Sequence, residues 1–154
     1  MKSRKQSSGR LTAQRWLRES SVFYLDENLS ECKAIHLVFD SATIKYEQHY
    51  SHFPRQQFPQ GVPDDVWLEL VGIRGWLVLT KDKSMRYNPL EKAAIQKYRI
   101  RQFAFQSGNL SAPEMADILR INLNKVFNFI KKQTPPFVAS VTKSGVSLRP
   151  IASN

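Results

Sequence analysis

Five acids sit where they could work together: Asp26 and Glu27, Asp64 and Asp65, and Asp82. The apolar run Val22–Leu25 leads directly into Asp26, and Trp76–Thr80 leads through Lys81 into Asp82. Carboxylates just past the carboxyl ends of buried strands lie where open α/β sheets gather their functional groups. Several carboxylates at one point repel each other unless a cation joins them. Mg²⁺ and Mn²⁺ suit such a set, because hard cations prefer oxygen ligands and Mg²⁺ keeps several of its waters. A metal held this way activates water and offsets charge during attack on a phosphodiester.

Taken singly, each acid also has an ordinary role. Asp64 and Asp65 follow Pro63, where an Asp commonly caps a helix or complements its dipole. Asp82 lies in a strand-to-helix turn, where Asp is frequent. Asp26 is the hardest to explain this way, since it directly follows a strand that should be buried. The inference rests on the set.

The surrounding charge fits a polyanion. The chain of 154 residues carries 23 Lys and Arg against 13 Asp and Glu, a formal charge of +10. Such a balance favours nucleic acid through steering and counterion release, although a basic surface can also serve solubility alone. Lys81, Lys83 and Arg86 adjoin the acids and are the candidate nucleic-acid contacts, whereas Lys92 and Lys97 read as a solvated helix face. His36, His49 and His52 are scattered and read as core or surface residues. Cys32, the single cysteine, excludes an intrachain disulfide and a Cys-based zinc site. There is no Walker loop, dinucleotide fingerprint or Ser-His-Asp order. No apolar run approaches the about 20 residues of a membrane span, and the expected location is cytoplasmic.

The elements that must position these groups alternate. Val22–Leu25, Ile44–Gln48, Trp76–Thr80 and Ile100–Phe105 read as strands. Helices are expected from a Ser30 cap through Phe39, from Asp64 to about Val71 with Gly72 and Gly75 as breakers, and from Asn88 to about Lys97. His49–Pro63 reads as a loop. Ser111 and Glu114 form a capping box that opens a long amphipathic helix ending at Pro135-Pro136. Phe137–Thr142 and Val146–Leu148 read as a terminal hairpin. Continuous apolar strands between helices predict a mostly parallel sheet covered on both faces. Residues 1–20 are strongly basic and read as a mobile arm, helical near Leu11–Leu17, ahead of one domain over 21–150.

Four blocks in order resemble the PIN-like domain of VapC-type toxins: Phe23–Leu29 (FYLDENL), Val62–Leu70 (VPDDVWLEL), Gly75–Lys83 (GWLVLTKDK) and Tyr98–Phe105 (YRIRQFAF). The resemblance implies a three-layer α/β/α sandwich and a Mg²⁺- or Mn²⁺-dependent endoribonuclease. It further implies the toxin of a type II toxin–antitoxin pair, with RNA as substrate, a cognate antitoxin as partner and a homodimer as an allowed assembly. Carried over block by block, the catalytic acids are Asp26, Asp64 and Asp82, with Glu27 beside the first and Asp65 as second choice to Asp64. Asp26, Glu27, Asp64 and Asp82 would be the metal ligands. A PIN-like module that binds RNA without cutting it is the main alternative. A receiver-like domain ranks lower, for want of a phosphoacceptor Asp between Asp40 and Asp64.

Overall fold

A computed structural model describes residues 13–81, 89–106 and 109–151. Residues 13–20 are helical (α1). The elements after it are β1 (Val22–Leu25), α2 (Lys33–Ser41), β2 (Lys45–Gln48), α3 (His49–His52), α4 (Asp64–Arg74) and β3 (Leu77–Thr80). Then come α5 (Pro89–Lys97), β4 (Arg101–Phe105), α6 (Ala112–Lys132), β5 (Phe137–Thr142) and β6 (Gly145–Arg149). One six-stranded sheet has the order β2-β1-β3-β4-β5-β6. Its first five strands run parallel, and β6 closes the edge antiparallel to β5.

The pleat divides the core in two, because successive strand residues face opposite sides. Phe23, Leu25, Leu77, Leu79, Phe103 and Phe105 pack with α2 and α6. Tyr24, Val78 and Val138 pack with Trp67, Leu68 and Val71 of α4 and with Ala94 and Ile95 of α5. Both faces of the central strands are thus buried, which is why β1 and β3 read as unbroken apolar runs. The result is the expected three-layer α/β/α sandwich with a long C-terminal helix and a hairpin.

Residues 13–20, which read in sequence as the end of a mobile arm, are folded onto the domain. Leu17 packs against the α2/α6 core. The Arg18 guanidinium lies 5.1 Å from the Phe127 ring centre and donates a hydrogen bond to Asn124 of α6. The long helix starts as its sequence dictates: Ser111 Oγ accepts from Glu114 N–H at 3.2 Å, and Glu114 Oε1 accepts from Ser111 N–H at 2.9 Å. Asn88, expected to cap α5, lies outside the described residues.

Three local expectations need correction. Ser30 does not cap α2; that helix begins three residues later, after Cys32, without a side-chain cap. Ser30 is buried, and its hydroxyl accepts from the Tyr50 N–H at 3.1 Å, tying the β1 exit to α3. The loop expected over His49–Pro63 opens with one helical turn, α3. Gly72 does not break α4, which continues to Arg74 and ends on Gly75 in the left-handed conformation at φ 69°. Gly72 is instead a point of close approach. A Cβ there would lie 2.5 Å from Tyr98 Cβ and 2.8 Å from Tyr98 O.

Gly72→Ala is therefore expected to destabilise the chain by about 1–3 kcal/mol, because the backbone of residue 98 must shift. This outweighs the roughly 1 kcal/mol that Ala gains over Gly inside a helix. Urea unfolding checks the sign; a stabilised variant would show that α4 does not press on the α5–β4 turn.

Candidate functional site

In the strand order β2-β1-β3, the chain reverses its direction of winding between β1 and β3. Ligands in open α/β sheets bind beyond the carboxyl ends of the strands at such a switch point. Asp26 and Thr80 meet here. The register pairs Leu25 with Leu79, which brings the residues just past β1 beside the end of β3. Thr80 Oγ1 donates to Asp26 Oδ2 at 2.5 Å. The other carboxylate oxygen, Oδ1, accepts the N–H of Asn28 at 3.1 Å and of Leu29 at 3.2 Å. Asp26 thus organises the turn after β1, and that turn is the reason α2 starts later than its sequence suggests.

Asp26 is only 8% exposed. Burial pushes its pKa up from 3.8 to about 6, while the Thr80 hydroxyl and the two N–H groups pull it back and the Glu27 charge pushes it further up. A carboxylate held this way has lost water without gaining a described basic partner, which costs free energy in the charged form.

A cleft of about 190 Å³ opens over it, lined by Asp26, Glu27, Asn28, Asp64, Trp67, Thr80, Glu91 and Gln102. Each element supplies its residue for a local reason. Asp64 is the first residue of α4, and its Oδ1 accepts from Trp67 Nε1 at 3.0 Å, one turn along the helix. Glu91 lies in the first turn of α5. Both helix N-termini therefore open toward the cleft, and their positive dipole ends favour negative charge there. Gln102 comes from β4; it is 3% exposed and pairs in register with Val78.

The acids expected from sequence separate clearly. Asp26, Glu27 and Asp64 line one cleft. Asp65 is exposed and does not line it. Lys81 directly follows β3 and is half-buried, outside the lining. Asp82, Lys83 and Arg86 lie outside the described residues. Glu91 and Gln102 were not expected. Glu91 read as part of a helix start, and the available signal was that this start follows a strand ending in the acid region. Gln102 was legible as a polar residue inside an otherwise buried strand.

Each of the three histidines bonds to a neighbour within the fold. His49 Nδ1 lies 2.6 Å from the Tyr24 hydroxyl, and burial lowers the His49 pKa and raises that of Tyr24. His52 pairs with Glu47 at 2.8 Å, and His36 Nε2 bonds the Ser30 carbonyl at 2.9 Å.

Among the described residues, no group of three or more acids, histidines or cysteines is placed to hold a metal ion. The carboxylates that line the cleft are oxygen donors, the kind that Mg²⁺ takes while keeping several of its waters. The donor chemistry fits Mg²⁺ or Mn²⁺ rather than zinc, which favours sulfur and imidazole.

The family model described as "PIN like domain" matches residues 21–107, which span β1 to β4 and every residue lining the cleft. The chain belongs to the PIN-like domain family. PIN-like domains are typically nucleases and generally use divalent metals. Comparison with curated proteins and with solved structures gives no match. No helix among the described residues is long and apolar enough to cross a membrane.

The buried Asp26 gives the metal-free protein a definite pH response. Its folded-state pKa of about 6 lies above the unfolded 3.8. Between these values the folded chain binds more protons, so this group's contribution to stability falls as pH rises through the window. The loss approaches about 3 kcal/mol at pH 7. In EDTA at pH 7.5, Asp26→Asn should therefore raise Tm by about 5–10 °C, and the gain should shrink toward pH 4. A variant less stable than wild type at pH 7.5 would contradict a desolvated Asp26.

Proposed function

We propose that the chain is a divalent-metal-dependent endoribonuclease whose working edge is the Asp26 cleft. The observation that carries this reading is the buried Asp26 carboxylate at the sheet's switch point, with Glu27, Asp64 and Glu91 on the same cleft. Asp26, Glu27 and Asp64 would hold the metal, together with Asp82, two residues past β3 in sequence. When bound, Mg²⁺ or Mn²⁺ supplies Lewis acidity: it lowers the pKa of water at the site and offsets charge on the phosphodiester.

The chain's own residues prepare that chemistry. Thr80 and the N–H groups of Asn28 and Leu29 fix the plane of the Asp26 carboxylate, so no rotamer search is needed when substrate arrives. The N-termini of α4 and α5 favour an anionic phosphate against the repulsion of the acids. Gln102 brings both donor and acceptor capacity to the floor of the cleft. Lys81, Lys83 and Arg86 would hold the flanking phosphates, as a net charge of +10 allows. Attack by water oxygen on phosphorus then breaks the bond to one sugar oxygen, which leaves with a proton.

The resemblance to VapC-type toxins supports the narrower reading of a toxin restrained by a cognate antitoxin, with a second copy of the chain as an allowed partner. A cytoplasmic location belongs to the same reading.

The test is cleavage of single-stranded and structured RNAs with Mn²⁺, with EDTA as control. Asp26→Asn, Asp64→Asn and Asp82→Asn should each lower kcat/KM by at least about 100-fold with the fold intact. Asp65→Asn should be within a few-fold of wild type, and Glu91→Gln should fall between them. Full activity in Asp26→Asn, or cleavage indifferent to EDTA, would overturn the mechanism. RNA binding without cleavage would favour the inactive-module reading.

A further inference from the structure

A second cavity adjoins the acid cleft. It has a volume of about 170 Å³ and is lined by Glu27, His49, Tyr50, Phe53, Arg55, Phe58, Pro59, Gly61 and Val62. Glu27 also lines the acid cleft, so the two share a wall. The cavity lies past the carboxyl end of β2, in α3 and the segment that leads to α4. Its volume is below the roughly 300–1,000 Å³ of cavities that take drug-sized ligands. One ring system is the scale it accommodates.

Its walls are aromatic, and core packing explains only some of them. Phe53 packs against the α4/α5 core and sits 5.3 Å from the His49 ring. Phe58 belongs to neither core cluster and is 39% exposed, with its ring 5.7 Å from Phe53 in an edge-on arrangement. The Arg55 guanidinium lies 4.0 Å over the Tyr50 ring, while its other side bonds Glu31 at 2.8 Å. This pair presents a flat surface whose guanidinium charge is shared with Glu31.

The segment holding these rings is built from turns. Pro54 O accepts the N–H groups of Gln57 and Phe58, each at 3.0 Å, and Phe58 O accepts from Gly61 N–H at 2.9 Å. Gly61 takes φ 85°, a conformation that suits glycine. Phe58 thus keeps part of a large ring in water on an ordered turn beside the acid cleft.

We infer that this cavity receives one unpaired nucleobase next to the scissile phosphate, with Phe58 and the Arg55–Tyr50 pair as its stacking surfaces. The assignment rests on the nuclease reading of the acid cleft and narrows it: the substrate is single-stranded at this position, since a base inside a duplex cannot offer its faces to a side chain. Aromatic rings and guanidinium planes are the usual partners of splayed-out bases. Glu27, on the border of the two cavities, links base capture to the acids.

The experiment is binding of labelled RNA to the full chain in EDTA, where no metal-dependent cleavage occurs. The probes are a single-stranded oligonucleotide, the same sequence in a duplex, and single strands carrying one abasic site at successive positions. Wild type should bind the single strand at least about 5-fold tighter than the duplex. Phe58→Ala should weaken single-strand binding by roughly 5- to 100-fold, and Phe58→Trp should restore it. One abasic position should weaken wild type to the same extent and leave Phe58→Ala unaffected. Equal binding by Phe58→Ala and wild type, or equal binding of duplex and single strand, would overturn the inference. If Mn²⁺ cleavage still depends on Asp26 in that case, the nuclease reading survives alone. If base-dependent binding holds but no cleavage follows with Mn²⁺, the cavity stands and the nuclease reading falls.

Discussion

A carboxylate buried at the end of a parallel strand is a costly arrangement, and much of this molecule is shaped around the one at Asp26. Its two oxygens are held by three donors from two segments: the Thr80 hydroxyl, and the N–H groups of Asn28 and Leu29. The first requires β1 and β3 to be neighbours in register, and the others require a turn rather than a helix to follow β1. That turn displaces α2 to Lys33 and leaves Ser30 to bond Tyr50, which places α3 beside the cleft. The donors orient the carboxylate without neutralising it, and burial still raises its pKa. Such an arrangement favours any state that brings positive charge to the cleft.

The cleft and its surroundings divide the work of handling a polyanion. Acids concentrate at the carboxyl ends of the central strands, helix N-termini face them, and basic residues are in excess along the chain. Cations distributed over a surface gather nucleic acid with little sequence preference. Selectivity must come from shape and stacking close to the reacting phosphate. The cavity walled by Phe58, Tyr50 and Arg55 has that chemistry and lies next to the acids. Catalytic charge and base selection would then meet at Glu27, the residue common to both hollows.

Strands β1 and β3 were legible because burial on both faces leaves an apolar run that ends close to a charge. For the same reason Asp26 could be singled out from its neighbours: an acid directly after Val22–Leu25 has to be accommodated at the edge of a core. The choice between Asp64 and Asp65 was not available from composition, since adjacent positions at a helix start differ only in rotation about its axis. The family blocks favoured Asp64, and the structure puts it on the cleft lining. Glu91 and Gln102 escaped because each had a sufficient local explanation, in a helix start and in a strand. Gly72 misled for a related reason. Its lack of a side chain serves contact with Tyr98 across the fold, which no local pattern records. The aromatic cavity was hidden inside a proline-rich segment that sequence could read only as a loop, because its turns bring together residues with no regular spacing.

The central claim is the proposal that the cleft around the buried Asp26 carboxylate takes a divalent cation. Calorimetric titration of Mn²⁺ into the full chain at pH 7.5, compared with Asp26→Asn and Asp65→Asn, tests it most directly. Binding should occur in wild type, persist in Asp65→Asn, and weaken at least about tenfold in Asp26→Asn, a difference of about 1.4 kcal/mol. Equal Mn²⁺ affinity in Asp26→Asn and wild type would contradict it, as would a wild-type chain that binds no Mn²⁺.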